Sequence, residues 1–167
     1  TNKALSDLGL LISDLADDYD RSIIAGVTEE AENKDVNLVV FPGRYLSYSE
    51  ADNERKSLEY QYNAVFSYAK ENTVDALIIM YNSICSRVSE EERKEFIDYY
   101  KDIPSVILAG KVDGHTCINY DNEKGLYELI SHLIVDKGKK KIAFVSGPKN
   151  NPDADMRLNA EPIFNLF

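Results

Sequence analysis

Cys117-Ile118-Asn119-Tyr120-Asp121-Asn122-Glu123-Lys124-Gly125 and, one helical stretch later, Gly138-Lys139-Lys140-Lys141-Ile142-Ala143-Phe144-Val145-Ser146-Gly147 decide the fold class. A short apolar stretch ends at Asp121-Asn122, two residues that favour a helix start. Leu126, Leu129, Ile130, Leu133 and Ile134 then recur at helical spacing, and Gly138 can close that helix. A second apolar run, Ile142 to Val145, ends in Gly147-Pro148. Strand, capped helix, glycine, strand and turn make a βαβ unit.

The same alternation runs outward to the N-terminus. Leu8–Ile12, Asn37–Phe41, Ala76–Met80 and Ser105–Ala109 are short runs, apolar nearly throughout, each flanked by polar or turn-forming residues. Between them lie amphipathic stretches. Ile23, Ile24, Val27 and Ala31 mark one helix face, and Leu58, Tyr62, Val65, Phe66 and Ala69 a second. Ser89 with Glu92 has capping-box spacing ahead of Phe96, Ile97 and Tyr100. Strands without a polar face are buried on both sides, and helix-length connections imply parallel order with right-handed crossovers. The expected fold class is α/β, a doubly wound parallel sheet. Ligands of such sheets sit beyond the carboxyl ends of the strands. That rule selects Ser13 and Asp14, Gly43 and Arg44, Tyr81 and Asn82, Gly110 and Lys111, Gly147 and Pro148.

Composition narrows the function classes. The chain has 167 residues, 44% hydrophobic and 29% charged, which fits a globular protein with a sizeable core. A formal net charge of -10 argues against a phosphate-tracking surface. The one basic run, Lys137 to Lys141 broken by Gly138, is read as complement to a helix C-terminus and solvated loop rather than as a nucleic-acid patch. The two cysteines, Cys85 and Cys117, have neither metal-site spacing nor the density of a disulfide scaffold. No apolar stretch approaches the roughly 18–20 residues of a membrane span, and Thr1 to Asp7 lacks a signal-peptide core. Cytoplasmic localisation and no membrane contact are expected.

Motifs of common chemistries are absent. Ile12-Ser13-Asp14-Leu15 stands where a phosphate-binding glycine loop would lie, and there is no P-loop. His115 and His132 are too far apart for a zinc motif. Cys85 follows a strand but has no assignable base. Asp14, Asp17, Asp18 and Asp20 cluster after the first strand. They are read as caps of the first helix or as a magnesium cluster of receiver type, and the latter lacks an acceptor Asp after Ala76–Met80. Tyr19, Tyr45, Tyr48 and Tyr81 fall in or near ligand-side loops, where hydroxylated rings suit stacking on planar or sugar-like molecules.

Several segments resemble the sensor domains of the LacI/periplasmic-binding-protein superfamily, from about Leu8 to Ala160. Leu8-Gly9-Leu10-Leu11-Ile12-Ser13-Asp14 is similar to the family's opening strand, and Gly26-Val27-Thr28-Glu29-Glu30-Ala31 to its first helix. Val74-Asp75-Ala76-Leu77-Ile78-Ile79 and Ile103-Pro104-Ser105-Val106-Ile107-Leu108 resemble two further strands. Asp121-Asn122-x-x-Gly125 and Ile142 to Pro148 are the most specific matches. Asp153 to Leu158 resembles the segment carrying a ligand-binding arginine, here Arg157. Asn151-Pro152-Asp153-Ala154 and the long Phe41 to Asn53 loop look most like cytoplasmic sensors fused to DNA-binding, diguanylate cyclase or kinase outputs.

The resemblance implies a complete-looking N-terminal α/β lobe at 1–110, an interlobe connector at 111–120 and the start of a truncated second lobe at 121–167. No helix-turn-helix precedes Leu8, and Pro162 interrupts the helix pattern after Ala160, so the expectation is a partial chain without direct nucleic-acid contact. The expected function is sensing a small, sugar-like molecule in an interlobe cleft, as a homodimer and without catalysis, metal or cofactor. The expected cleft residues are Asp14, Tyr19, Arg44, Asn82, Lys111, Asp121 and Arg157, with Asn122 either a helix cap or a ligand contact. The rival readings are an extracytoplasmic solute-binding protein of a transporter and a small α/β enzyme.

Overall fold

Leu10, Leu11 and Ile12 are each 0% exposed, so the first strand is covered on both faces. The computed structural model describes residues 7–46, 56–147 and 151–159, without the side chains of 56–60, 152 and 159. It falls into two units, Thr1–Ile118 and Asn119–Phe167.

The first unit is built on a five-stranded parallel sheet in the order β2-β1-β3-β4-β5. The strands are β1 (Asp7–Ile12), β2 (Asn37–Pro42), β3 (Ala76–Met80), β4 (Ser105–Leu108) and β5 (Thr116–Ile118). The chain steps one way from β1 to β2, then back past β1 to β3 and on to β4. Right-handed crossovers therefore place α1 (Asp18–Asn33) on one face. The 3-10 helix Lys56–Tyr68 and α3 (Glu90–Asp98) lie on the other. Register puts Leu11, Ile79 and Ile107 on the second face, and all three are fully buried. Leu10, Ile78 and Val106 share the first face. There α1 packs Ile23, Ile24 and Val27 against the core, but Ile78, Val106 and Leu108 are only half-buried, and Ile118 is 58% exposed.

The strands expected at Leu8–Ile12, Asn37–Phe41, Ala76–Met80 and Ser105–Ala109 all form, within one residue at each end. The capping box also forms. The Ser89 N–H donates to Glu92 Oε2 at 2.8 Å, and the Glu92 N–H to Ser89 Oγ at 3.3 Å. The second helical face is realised as a 3-10 helix, with Phe66 and Ala69 buried but Tyr62 exposed. One element lacked a sequence signal strong enough to name, α2 (Tyr81–Cys85), a single helical turn directly after β3. The short apolar stretch ahead of Asp121, expected as the opening strand of a βαβ unit with Ile142–Val145, forms as β5 but joins β4 in parallel instead, through 109–115 and without a helix.

In the second unit, α4 (Asn122–Ser131) continues as a π-helical turn, His132–Asp136, and ends at Gly138 with φ +61. The glycine closes the helix as its position implies, because a left-handed residue there costs no Cβ clash. Ile130 is the buried anchor of α4, and Ala154 that of α5 (Pro152–Asn159). The expected strand Ile142–Val145 is a correction. This segment pairs with no strand among the described residues, and Val145 is 91% exposed. An apolar run becomes a strand only where a neighbouring ladder satisfies its backbone groups. Gly138, Lys139, Lys140 and Lys141 are exposed, in keeping with a solvated loop.

Gly110 follows β4, and a Cβ there would run into the ring of Tyr81, which is itself buried. That close approach seats α2, and with it Asn82, against the sheet. Gly110→Ala should therefore lower stability by roughly 1–3 kcal/mol, the range for overpacking a core. Urea unfolding followed by circular dichroism measures it, and an unchanged midpoint would disprove the contact.

Candidate functional site

The carboxyl ends of β1 and β2 carry the most developed polar cluster of the first unit. Asp14 lies two residues past β1. Its Oδ1 accepts the Ala16 N–H at 2.8 Å, an Asx turn that fixes the loop. Its Oδ2 is 3.0 Å from Arg44 Nη1. The Ala16 N–H first, and then the Arg44 guanidinium, hold the Asp14 carboxyl below its usual value, so it is an anion at neutral pH. Both side chains are partly exposed, and such a pair is worth at most about 1 kcal/mol to folding.

Arg44 is held from three directions. Its N–H donates to Asn63 Oδ1 at 2.7 Å, and its guanidinium lies 5.3 Å from the centre of the Tyr62 ring. The preceding Gly43 donates its N–H to the Ile12 carbonyl at 2.9 Å, which draws the β2 loop onto the end of β1. A Cβ at Gly43 would strike the Phe66 ring, so glycine permits this approach.

Beneath the loop sits Asp20, 1% exposed. Its Oδ2 accepts the Asp14 N–H at 2.9 Å and the Ser13 hydroxyl at 3.2 Å, while Oδ1 has no partner among the described residues. Burial raises the Asp20 carboxyl above its usual value. Asp20 is thus neither a helix cap nor part of a metal cluster. Asp17 is the α1 N-cap residue and makes no side-chain cap bond, and no group of three or more metal-ligating side chains occurs among the described residues. Asp20 instead ties the loop bearing Asp14 to α1. Helical spacing carries the signal, for Asp20 precedes Ile23, Ile24 and Val27 by three, four and seven positions and so falls on the buried face. Asn63 was unmarked too, although it stands three residues before Phe66 on the same kind of face.

The other expected residues are placed more widely. Tyr19 is in the first turn of α1 and partly exposed, and Asn82 is the second residue of α2, just after β3. Lys111 lies beyond β4, where with Arg93, Glu90 and His115 it lines a depression of about 530 Å³. Ala109, just before, holds φ +52, a conformation an L-residue adopts only under local constraint. Tyr81 is buried against Gly110, with its hydroxyl pushed up to about 12 by burial, so it belongs to the core and not to a ligand-side loop. Tyr45 stacks under Arg87 at 4.1 Å, while Tyr48 lies outside the described residues, as does Pro148. The Cys85 thiol is fully buried and its pKa is pushed up to about 12, the reverse of what a nucleophile needs.

In the second unit Asp121 is the cap, and its Oδ1 accepts the Lys124 N–H at 3.0 Å. Asn122 has the other task. It donates from Nδ2 to Asp153 Oδ1 at 2.9 Å and accepts from Arg157 Nε at 2.9 Å, which binds α4 to α5. The terminal nitrogens of Arg157 have no partner among the described residues.

Asp20 gives a pH signature. A carboxyl whose folded pKa is raised contributes stability that is fully present below its ordinary value of 3.8 and is lost as pH rises through the folded value. Asp20→Asn can still accept from Ser13 and Asp14 without a charge, so stability of the variant should fall less than wild type between pH 4 and pH 7. Asp20→Ala leaves the Asp14 N–H and Ser13 hydroxyl unpaired and should cost about 1–3 kcal/mol. Denaturant unfolding across that pH range checks both, and parallel pH profiles for wild type and Asp20→Asn would contradict the account.

No family model matches the chain. Over 151 residues it is 27% identical to the HTH-type transcriptional regulator RegA of Clostridium saccharobutylicum, covering 88% of this chain and 39% of that protein. Over 152 residues it is 24% identical to the ribose operon repressor of Escherichia coli K12, covering 90% and 41%. The chain thus spans about two fifths of the curated relatives it matches. Among solved structures, the lac repressor dimer bound to operator and the anti-inducer ONPF superposes with a TM-score of 0.63 at 23% identity, covering 95% of this chain and 50% of that one. The fold is that of the LacI/periplasmic-binding-protein-like ligand-binding domains, and the proteins it resembles are LacI-family regulators.

Proposed function

We propose that this chain is the ligand-sensing part of a LacI-like transcriptional regulator and binds a small polyhydroxylated molecule beyond the carboxyl ends of β1 and β2. One observation carries the reading furthest. The Asp14–Arg44 pair is partly exposed at the pole where doubly wound sheets bind ligands, and it contributes little to folding. An anionic acceptor and a rigid fork of donors 3.0 Å apart suit vicinal hydroxyls, and the Tyr62 ring offers a face for a sugar. The relatives' names add support, since one of them is a repressor of a ribose operon.

Within this reading, 1–110 is a complete-looking N-terminal lobe, 111–120 a connector whose strand β5 extends that lobe's sheet, and 121–167 the beginning of a second lobe. Tyr19, Asn82 and Lys111 join Asp14 and Arg44 as ligand residues of the first unit. Asp121 and Arg157 are candidates in the second, where Arg157 uses its Nε on Asn122 and its terminal nitrogens have no partner among the described residues. The protein works in the cytoplasm as a homodimer, without catalysis, and a bound ligand biases a DNA-binding output through differential affinity for two states. No described helix is long and apolar enough to cross a membrane. The transporter reading is weaker because the relatives named above are regulators of transcription.

A thermal-shift screen of pentoses and hexoses against the full-length protein, followed by calorimetry on any hit, tests the proposal. Arg44→Lys should weaken binding by about 1.5–3 kcal/mol, the range for a hydrogen bond to a charged group, with little change in melting temperature. Equal affinity in wild type and Arg44→Lys would remove Arg44 from the site. A transition as sharp but several degrees lower would make its role structural.

A further inference from the structure

A second cavity, of about 370 Å³, lies between the 3-10 helix and α3, and neither Asp14, Asn82 nor Lys111 lines it. Its volume is at the lower end of the roughly 300–1,000 Å³ of small-molecule pockets. Phe66 and Tyr100 are almost wholly buried and form its floor, joined by the Tyr100 hydroxyl donating to the Phe66 carbonyl at 3.0 Å. Phe96 is half-buried and Tyr99 is 56% exposed, so both present ring surface to an occupant. The rings stand edge to face, Phe66 to Phe96 at 5.8 Å, Phe96 to Tyr100 at 5.4 Å and Tyr99 to Tyr100 at 5.0 Å. Such packing holds the rings at fixed angles to one another.

Charge decides what such a pocket would take. Helical spacing sorts the α3 side chains into two sets. Glu92, Glu95, Phe96 and Tyr99 line this cavity, while Arg93 and Lys94 line the depression near Lys111. Among the described residues, the charged groups at the aromatic cavity are therefore carboxylates alone. Glu95 forms no ion pair among the described residues, and Glu92 uses only Oε2 in its capping box. Aromatic faces attract cations through the ring quadrupole, and two carboxylates at the rim add to that field. The chain's net charge of -10 favours the approach of a cation from solution.

We propose that this cavity is a binding site for a small organic cation, an ammonium carrying an apolar group, with the ammonium against Tyr99, Phe96 and Glu95. Asn63 gives the site a structural neighbour. It lines the cavity, and its Oδ1 holds the Arg44 N–H at 2.7 Å, so an occupant would press on a residue that positions the sheet-end loop.

Benzyltrimethylammonium chloride is the probe, titrated into the full-length protein and followed by calorimetry and by the aromatic NMR resonances. Saturable binding at millimolar concentrations or tighter is expected, with shifts at Phe96 and Tyr99. Tyr99→Leu should weaken it roughly five-fold, within the range for an aromatic–cation contact. Glu95→Gln should weaken it at low salt and much less at high salt, because the rim charges are screened. Both positions are exposed, and circular dichroism verifies each fold. Should Tyr99→Leu fail to fold, Glu95→Gln decides by itself. Asp14→Asn should leave probe binding unchanged. Absence of saturable binding, equal affinity in wild type and Glu95→Gln at low salt, or loss of binding in Asp14→Asn would overturn the proposal.

Discussion

A central strand with no free face constrains everything else in the first unit. Leu10, Leu11 and Ile12 of β1 are wholly excluded from solvent, and β1 pairs on both edges, with β2 and with β3. Burying each of these side chains is worth about 1.5–3 kcal/mol, but only if a layer covers each side. Right-handed crossovers supply both layers over β1. Polar chemistry is left to the strand ends. Gly43 brings the end of β2 onto the end of β1, and Gly110 brings β4 onto α2. The Asp14–Arg44 pair is a product of that geometry, two residues 30 positions apart in the chain and 3.0 Å apart in space.

β1, β2, β3 and β4 announced themselves as apolar runs, and β1 is buried on both sides as such a run implies. β2 is not, for as an edge strand it alternates exposed and half-buried residues from Asn37 to Val40, with Val39 37% exposed. Ile142–Val145 is also an apolar run and is not a strand, for hydrophobicity states what a segment can bury and not which ladder it joins. β5 teaches the same lesson about partners. The apolar stretch ahead of Asp121 does form a strand, Thr116–Ile118, but it joins β4, and the 109–115 link is too short to suggest a parallel crossover. The apolar face of the 3-10 helix stayed legible, because Phe66 and Ala69, the residue just past its end, are three apart and spacing by three fits either helix type.

The candidate site was legible in part. The rule of carboxyl ends finds Asp14 and Arg44, since it needs only strand ends and polar residues. It cannot separate Tyr81 from Asn82, adjacent residues of one helical turn, of which the first is buried beside Gly110 and the second only half-buried. Nor does residue type show that Asp121 spends an oxygen on capping α4 while Asn122 ties two helices together. Asp20 is the instructive miss. An acidic residue in a first helical turn is ordinarily read as a dipole complement. Here its phase along α1 aims it inward, where it holds the loop that carries Asp14.

Residue-resolved amide hydrogen exchange tests the central claim most directly. If the doubly covered β1–β3 pair anchors the unit, amides of Leu10, Leu11, Ile78 and Ile79 should exchange only through global unfolding, with opening free energies equal to that from denaturant titration. Amides of the edge strand β5 should exchange through smaller, local openings. Equal protection of β1 and β5, or an opening free energy at Leu11 well below the global value, would contradict the account.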